Sequence, residues 1–262
     1  MNFDHVAVHR LVTGMTGKGK STFVRAMVKK DRAPWKFAFD TYKKEFPRFM
    51  GWPFCIDEPG LVRATTEKRI SAFYSAPLFP GSRIEGFNFW IRWVYEVGKV
   101  LPGRKLVIIE EIEKTTAHRN SPLAPAFAEM LDEGRAAQFD VVMIAQRVST
   151  VSELVRSTTT EICTFQQVDG NQLDWLEEEG FDRGAVSRLQ RGQFITRQRE
   201  TGEQTTNGRK HSTPDATGTG DRRAAAPLRA AQSDRRSALH RSSDGRFSPG
   251  KSPEKAPRAL PG

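Results

Sequence analysis

The chain has 262 residues, and its 41 Lys and Arg against 31 Asp and Glu give a formal net charge of +10. This excess favours a polyanionic partner, most simply nucleic acid; the alternative is a basic segment that only keeps the chain in solution. The two cysteines, Cys55 and Cys163, exclude a disulfide-stapled scaffold. No run of about 18 apolar residues occurs and a strand is expected near the first residue, so we expect a soluble intracellular protein without signal peptide or spanning helix.

The first predicted elements surround a glycine-rich loop. Val6–Val12 is rich in β-branched residues and predicts a strand, and Thr22–Lys30 has the apolar spacing of a helix. Between them, Gly14–Ser21 matches the phosphate-binding pattern G-x-x-x-x-G-K-[ST]. Backbone N–H groups and the helix dipole both favour an anion there, so we expect a bound nucleoside triphosphate. The residues predicted to contact the nucleotide are Gly14, Thr16, Gly17, Lys18, Gly19, Lys20, Ser21 and Thr22.

Two side chains of this loop have separate predicted roles. Lys20 is expected to hold the β- and γ-phosphates of ATP, and Ser21 is expected to be a Mg²⁺ ligand. Lys18 occupies a variable position of the pattern and adds positive charge near the phosphates. A glycine-rich turn with a solvated lysine is the structural alternative.

Predicted strands and helices alternate through the rest of the first 200 residues. The predicted strands are Trp35–Phe39, Arg69–Tyr74, Lys105–Glu111, Val141–Ala145, Glu161–Phe165 and Gln193–Arg197. The predicted helices are Phe87–Val100, Pro122–Arg135 with Ser121 as its cap, Ser152–Val155, Leu173–Glu179 and Gly184–Leu189. The segment Lys43–Pro59 contains three prolines and is predicted to be a loop with little regular structure. Apolar strands between helices predict an α/β fold of the P-loop NTPase type, with a mostly parallel sheet flanked by helices.

The last part of the chain differs in composition. From Thr201 to Gly262 there are 12 Lys and Arg against 6 Asp and Glu, with few large apolar residues. Such a segment cannot bury enough apolar surface to offset its chain entropy. We therefore predict an ATPase domain over residues 1–200 and a disordered basic tail over residues 201–262.

The predicted apolar strand Lys105–Glu111 ends in an acidic pair, Glu110 and Glu111. A carboxylate there can ligate Mg²⁺, and the next can polarise the attacking water. We assign Glu110 to the metal and Glu111 to the water. Asp is usual at the first position, so which glutamate has which role stays open, and two solvated glutamates are the structural alternative.

Other polar residues follow neighbouring strands. Gln146 follows Val141–Ala145 and is expected beside the γ-phosphate, where an amide can both donate and accept; Asp40 ends another strand at the same edge. An arginine that stabilises transition-state charge must come from outside the loop, and Arg135 and Arg147 are candidates for acting on a neighbouring subunit's nucleotide. A surface salt bridge is the alternative for each.

Taken in order, these motifs resemble the FtsK/HerA superfamily of DNA-pumping ATPases. The resemblance rests on Gly14–Thr22, the strand ending at Asp40, the strand ending at Glu111, and Gly134-Arg135 followed by Val141–Arg147. The resemblance covers residues 6–197. Within the superfamily, the chain is most similar to the genome-packaging ATPases of membrane-containing icosahedral viruses (tectivirus type). The resemblance implies ATP and Mg²⁺ as cofactors, with Glu111, Gln146 and Arg135 as catalytic residues.

The same resemblance implies a biological setting. A homo-oligomeric ring, expected to be a hexamer, would move double-stranded DNA into a preformed capsid and dock on capsid or vertex proteins. The expected location is the host cytoplasm, the packaging vertex of the virion, or both. Two alternatives stay open: a nucleotide-dependent phage assembly protein with little turnover, and a small-molecule P-loop kinase.

Overall fold

The computed structural model of the chain describes residues 6–40, 44–134, 136–206 and 209–210, the last two as backbone only. Within these ranges there are ten strands: β1 His9–Thr13, β2 Trp35–Phe39, β3 Phe54–Cys55, β4 Ile70–Phe73, β5 Lys105–Ile109, β6 Phe139–Ala145, β7 Glu161–Thr164, β8 Ile195–Gln198, β9 Gln204–Thr206 and β10 Arg209–Lys210. The helices in the same ranges are α1 Lys20–Lys30, α2 Glu45–Met50, α3 Glu58–Lys68, α4 Arg83–Val100, α5 Pro125–Glu133, α6 Glu153–Thr158, α7 Gly170–Glu178 and α8 Arg183–Arg188.

All ten strands join one sheet, in the order β10-β9-β8-β7-β1-β6-β5-β2-β4-β3. The seven strands from β7 to β3 run parallel, whereas β8, β9 and β10 are added antiparallel. β1 lies between β6 and β7, with His9 opposite Val141 and Arg10 opposite Glu161. Because the carboxyl ends of parallel strands meet at one edge, the segments after β1, β5 and β6 come together there.

Helices cover both faces of the sheet. Leu11 packs into one apolar cluster with residues of α3 to α8, and its neighbour Val12 packs into a second cluster with α1 and α2. The same alternation occurs along β5, where Val107 and Ile108 belong to opposite clusters. Parallel strands buried on both faces read as continuous apolar runs, so the predicted α/β architecture is confirmed.

The predicted loop over Lys43–Pro59 is wrong. This segment contains α2 and the edge strand β3, and it ends at the first residues of α3. Asp57 caps α3, because its Oδ1 accepts the backbone N–H of Gly60 at 2.8 Å. Pro59 lies in the first turn, where the missing N–H removes no helical hydrogen bond, so this proline marks a helix start and not a loop.

Two further boundaries differ from the prediction. Ser121 does not cap α5: the helix begins at Pro125, and Ser121 Oγ accepts the backbone N–H of His118 at 3.0 Å. The sheet also continues past residue 200, since β9 pairs with β8 and the predicted tail therefore begins too early. Thr205 and Thr206 pair with β8 through backbone hydrogen bonds, which cannot be predicted from the polar composition of this segment. Residues 211–262 lie outside the described ranges, and the predicted disorder there stays a prediction.

Within the described ranges, no helix is both long and apolar enough to cross a membrane.

Candidate nucleotide site

The glycine-rich loop joins β1 to α1, as the pattern predicts. Gly14, Gly17 and Gly19 have φ angles of 141°, 77° and 114°, in the region that favours glycine. A Cβ at Gly14 would lie 2.5 Å from the Cβ of Phe165, so the loop rests directly on the segment after β7. This path leaves the first N–H groups of α1 without helical partners, which is the geometry of an anion site.

Lys20 and Lys18 differ in their surroundings. Lys20 is buried, and its Nζ donates to the carbonyl oxygens of Gly14 and Met15, the latter at 3.0 Å. Lys18 is half-buried, and its backbone carbonyl accepts the N–H of Gly192 at 2.9 Å. The ammonium group of Lys20 is thus held inside the curve of the loop.

A cavity of about 850 Å³, which we call the nucleotide cavity, opens over the loop and α1. Nine of the residues predicted for the site line it: Thr16, Gly17, Gly19, Lys20, Ser21, Thr22, Glu110, Glu111 and Gln146. Gly14 and Lys18 belong to the loop but not to this lining. The volume falls in the range typical of nucleotide-sized pockets.

The two glutamates follow β5 at the floor of the cavity. Both are largely buried, and Glu111 has a φ angle of 52°, an uncommon conformation for a residue with a side chain. Two cations hold its carboxylate: Arg83 Nη1 lies 3.2 Å from Oε2 and Lys114 Nζ lies 3.0 Å from Oε1. Backbone strain of this kind collects at functional sites.

Gln146 connects the loop to the glutamates. Its Oε1 accepts the hydroxyl of Thr16 at 3.0 Å, and its Nε2 donates to Glu111 Oε1 at 3.3 Å. Its backbone N–H donates to Glu113 Oε1 at 2.9 Å, and burial raises the pKa of that carboxyl. One amide therefore contacts both the phosphate-binding loop and the carboxylate predicted to act on water.

Arg83 and Lys114 were missed by the sequence reasoning. The predicted helix Phe87–Val100 started too late to include Arg83, which is the first residue of α4. The missed signal is Ser82 three residues before Glu85, a capping-box spacing; Ser82 Oγ accepts the N–H of Glu85 at 3.3 Å. For Lys114 the missed signal is its position three residues after Glu111, which brings the two side chains together across the helical turn Ile112–Lys114.

An aromatic wall borders the other side of the loop. Phe23 lies 4.6 Å from Phe194 and 5.9 Å from Phe165 between ring centroids, and Arg191 lines the cavity beside them. Aromatic rings and a guanidinium are groups on which a nucleobase stacks. The short loop before β8 thus adds to the cavity a surface suited to the stacking of a nucleobase.

Three other residues were predicted for the site, and neither of the two that the structure describes lines the nucleotide cavity. Asp40 does not line the cavity: it is fully buried, and its Oδ2 accepts the N–H of Phe46 in the first turn of α2 at 3.1 Å. Burial raises the pKa of Asp40 to about 6. Arg147 is exposed just after Gln146, and Arg135 lies outside the described residues.

The oxygen donors at the cavity fit a magnesium ion. Ser21 and Glu110 line the same space, one with a hydroxyl and one with a carboxylate. Among the described residues, no group of three His, Cys, Asp or Glu could hold a metal by itself. Mg²⁺ takes one or two protein oxygens together with substrate phosphates, so a pair of ligands is what a nucleotide-bound ion requires.

Solved structures share the arrangement of strands and helices described above. The genome-packaging NTPase B204 from Sulfolobus turreted icosahedral virus 2, in complex with ATP-gammaS, matches with a TM-score of 0.61 at 16% identity, over 80% of this chain and 99% of that one. Its complex with sulfate matches with a TM-score of 0.62, over 78% and 97%. At this identity the similarity shows the fold, and the chain has the P-loop NTPase fold seen in B204.

A second solved structure has a related fold at lower similarity. The pCW3 conjugation coupling protein TcpA, with ATPgS, matches with a TM-score of 0.50 at 11% identity, over 73% of this chain and 58% of that one. No family model matches the sequence, and the comparison with curated proteins found no match.

Proposed function

We propose that this chain is an ATP-driven translocase of double-stranded DNA that packages a viral genome into a preformed capsid. The observation that carries the proposal is the hydrogen-bonded path from Thr16 through Gln146 to Glu111. This path joins the phosphate-binding loop to a carboxylate suited to activate water. A site that only binds nucleotide has no need of that connection.

In the proposed reaction, the loop backbone and Lys20 hold the triphosphate. Ser21 and Glu110 hold Mg²⁺, which supplies charge neutralisation on the phosphates when bound. Glu111 orients the attacking water and accepts its proton. Gln146 distinguishes triphosphate from diphosphate, because loss of the γ-phosphate changes what its amide can contact.

The proposed assembly is a ring, a hexamer by the resemblance, that docks on a capsid or vertex protein. In the ring, an arginine of one subunit stabilises charge at the next subunit's nucleotide, as an arginine finger does. We assign this role to Arg135. The proposed place of action is the host cytoplasm or the packaging vertex of the virion.

Two observations support DNA as the polymer moved. The fold is that of B204, a genome-packaging NTPase, and the formal charge of +10 favours a polyanion. A motor that moves any sequence contacts the phosphate backbone and not the bases, so its affinity for DNA should fall steeply with salt.

The test measures ATP hydrolysis by the full chain with and without double-stranded DNA. We expect DNA to stimulate turnover, and Glu111→Gln to lower turnover by about 10²–10⁴-fold while ATP binding is retained. Phosphate transfer from ATP to a nucleoside or sugar would identify a kinase instead. Hydrolysis that ignores DNA, or a Glu111→Gln variant with full biological function, would reject the translocase and favour the assembly protein.

A further inference from the structure

A second cavity, of about 610 Å³, lies next to the nucleotide cavity. We refer to it as the basic cleft, and its lining residues are Glu113, Lys114, Ala117, His118, Arg119, Gln146, Arg147, Ser149 and Thr150. They come from the turn after β5 and the turn after β6. Gln146 lines both cavities, so the two share a wall.

The basic cleft carries a positive charge. Lys114, Arg119 and Arg147 are cationic at neutral pH, and Glu113 is the single carboxylate of the lining. Arg119 makes an exposed ion pair with Glu153 at 3.1 Å, whereas Arg147 has no ion-pair partner in the part of the chain that the structure describes. A ligand of this cleft is therefore anionic.

The hydroxyl of Ser149 adds a polar contact. Ser149 Oγ accepts Nε2 of Gln172 at 2.7 Å, which leaves the hydroxyl proton available to an oxygen in the cleft. The cavity is several times larger than one phosphate ion, and its cations come from two separate turns. Several cations along an open cleft suit the successive phosphates of a nucleic acid backbone.

Lys114 connects the basic cleft to the nucleotide cavity. Its side chain lines the cleft and is 40% exposed to solvent, while its Nζ lies 3.0 Å from Oε1 of Glu111. The Glu111 end of this pair is buried and also contacts Arg83, whereas the Lys114 end is accessible, so an anion that enters the cleft can compete for the ammonium group while Arg83 still pairs with the carboxylate. An anion bound in the cleft would therefore weaken the ion pair between Lys114 and Glu111, the carboxylate proposed to act on water.

We infer that the basic cleft binds the phosphodiester backbone of double-stranded DNA, and that this contact draws Lys114 away from Glu111 and raises the rate of ATP hydrolysis. This inference rests on the proposed function and adds a location for the polymer and a means of coupling. It gives Arg147 a role at DNA, in place of a role at the neighbouring nucleotide.

The first test compares Arg147→Gln with Arg63→Gln in the full chain, because Arg63 is an exposed arginine on α3 and outside the cleft. The measurements are binding of a fluorescent duplex by anisotropy across a salt series, and the ratio of DNA-stimulated to unstimulated hydrolysis. For Arg147→Gln we expect about tenfold weaker binding at low salt, a salt slope shallower by about 0.9, and a smaller ratio. Arg63→Gln should match the wild type.

The second test is Lys114→Met, which removes the ammonium group from Glu111. We expect unstimulated hydrolysis to rise toward the DNA-stimulated rate, so that their ratio approaches one. A ratio equal to that of the wild type would overturn the coupling.

Three outcomes would overturn the assignment of the cleft to DNA. One is equal DNA affinity for Arg147→Gln and Arg63→Gln. Another is a variant Arg147→Gln with intact DNA affinity and stimulation ratio but little turnover, which indicates an arginine finger. The third is intact duplex binding with weakened self-association in sedimentation, which indicates an acidic segment of a second copy as the occupant. If DNA does not stimulate the wild-type chain at all, the proposed function itself fails, and this result is distinct from the other three.

Discussion

The two cavities on either side of Gln146 are built differently. The nucleotide cavity depends on buried groups whose positions follow from the backbone, such as Lys20 and Glu110. The basic cleft depends on exposed side chains of short turns, such as Arg147. Residues after β5 and β6 line both cavities, and the nucleotide cavity is lined in addition by the loop after β1 and by α1. The ends of buried strands therefore fix the positions of the carboxylates in the nucleotide cavity, and the exposed turns that follow supply the cations of the basic cleft.

The largest expected effect separates the two cavities. Lys20→Ala removes the cation that the loop encloses, and we expect ATP turnover to fall by about 10²–10³-fold with loss of nucleotide binding. Duplex binding without nucleotide should persist, because Lys20 does not line the basic cleft. Lys18→Ala is the matched control and should lose less than about threefold, since Lys18 lies outside the lining of the nucleotide cavity. Equal losses for the two lysines would contradict the separate roles given to them.

A smaller effect is expected where the cavities meet. Gln146→Ala breaks the path from Thr16 to Glu111, and turnover should fall by about 10²-fold through loss of positioning. The DNA-stimulated ratio should fall as well, which distinguishes this variant from a defect confined to one cavity. Steady-state hydrolysis with and without DNA measures both quantities. Normal stimulation in this variant would show that the two cavities communicate by another path.

A third variant tests whether the aromatic wall belongs to the nucleotide-binding surface. Phe194→Ala removes part of the aromatic wall, and we expect ATP affinity to weaken by about 1 kcal/mol, or about fivefold in Kd. Phe54→Ala is a suitable control, because Phe54 stacks on Tyr74 at the edge of the sheet and outside the cavity. Equilibrium binding of a fluorescent ATP analogue measures the difference. If the two variants bind equally, the base does not occupy the side of the cavity formed by this wall.

The smallest effect on activity is expected at Asp40, which belongs to neither cavity. Its pKa is raised by burial from 3.8 to about 6, so between these values the folded chain holds a proton that the unfolded chain has lost. Its contribution to stability is therefore lost as pH rises from about 4 to about 6. We expect Asp40→Asn to gain up to about 2–3 kcal/mol over the wild type at pH 8 and less at pH 4.

Urea unfolding of both proteins at the two pH values measures this difference. A stability gap that does not change with pH would contradict the assignment of the shifted group. Turnover should stay within about twofold of the wild type, because Asp40 contacts α2 and not the nucleotide cavity.

Sequence was sufficient for the parts of the site that depend on local pattern. The loop Gly14–Ser21 and the glutamates after β5 lie where their motifs predicted, since strand and helix periodicity locate strand ends well. Gln146 joins them in the cavity as expected. The direction of a side chain at a strand end could not be predicted from the sequence. Asp40 is the example: a polar residue at such a position can face a ligand or the N–H groups of the next helix, and Asp40 faces the helix.

Tertiary pairing explains the other differences. Arg83 reaches the carboxylate of Glu111 from α4, a contact that no spacing in the sequence encodes, whereas Lys114 is only three residues from Glu111 and pairs with it across one helical turn. At the sheet margin, the prolines of Lys43–Pro59 predict a loop, but Pro59 lies in the first turn of α3, where a proline fits a helix. The extra strand β9 was missed because an edge strand can form through backbone pairing alone.

The position of β1 has a consequence for folding. His9 pairs with Val141 and Arg10 pairs with Glu161, so the strand that precedes the nucleotide loop has both its neighbours far along the chain. Pairing of this kind has to close a very long loop, and folding is slower when contacts join residues that are far apart in sequence. During synthesis, the loop can acquire its final support only after β6 and β7 have left the ribosome. A nascent chain stalled before residue 139 should therefore remain open to proteolysis at the phosphate-binding loop.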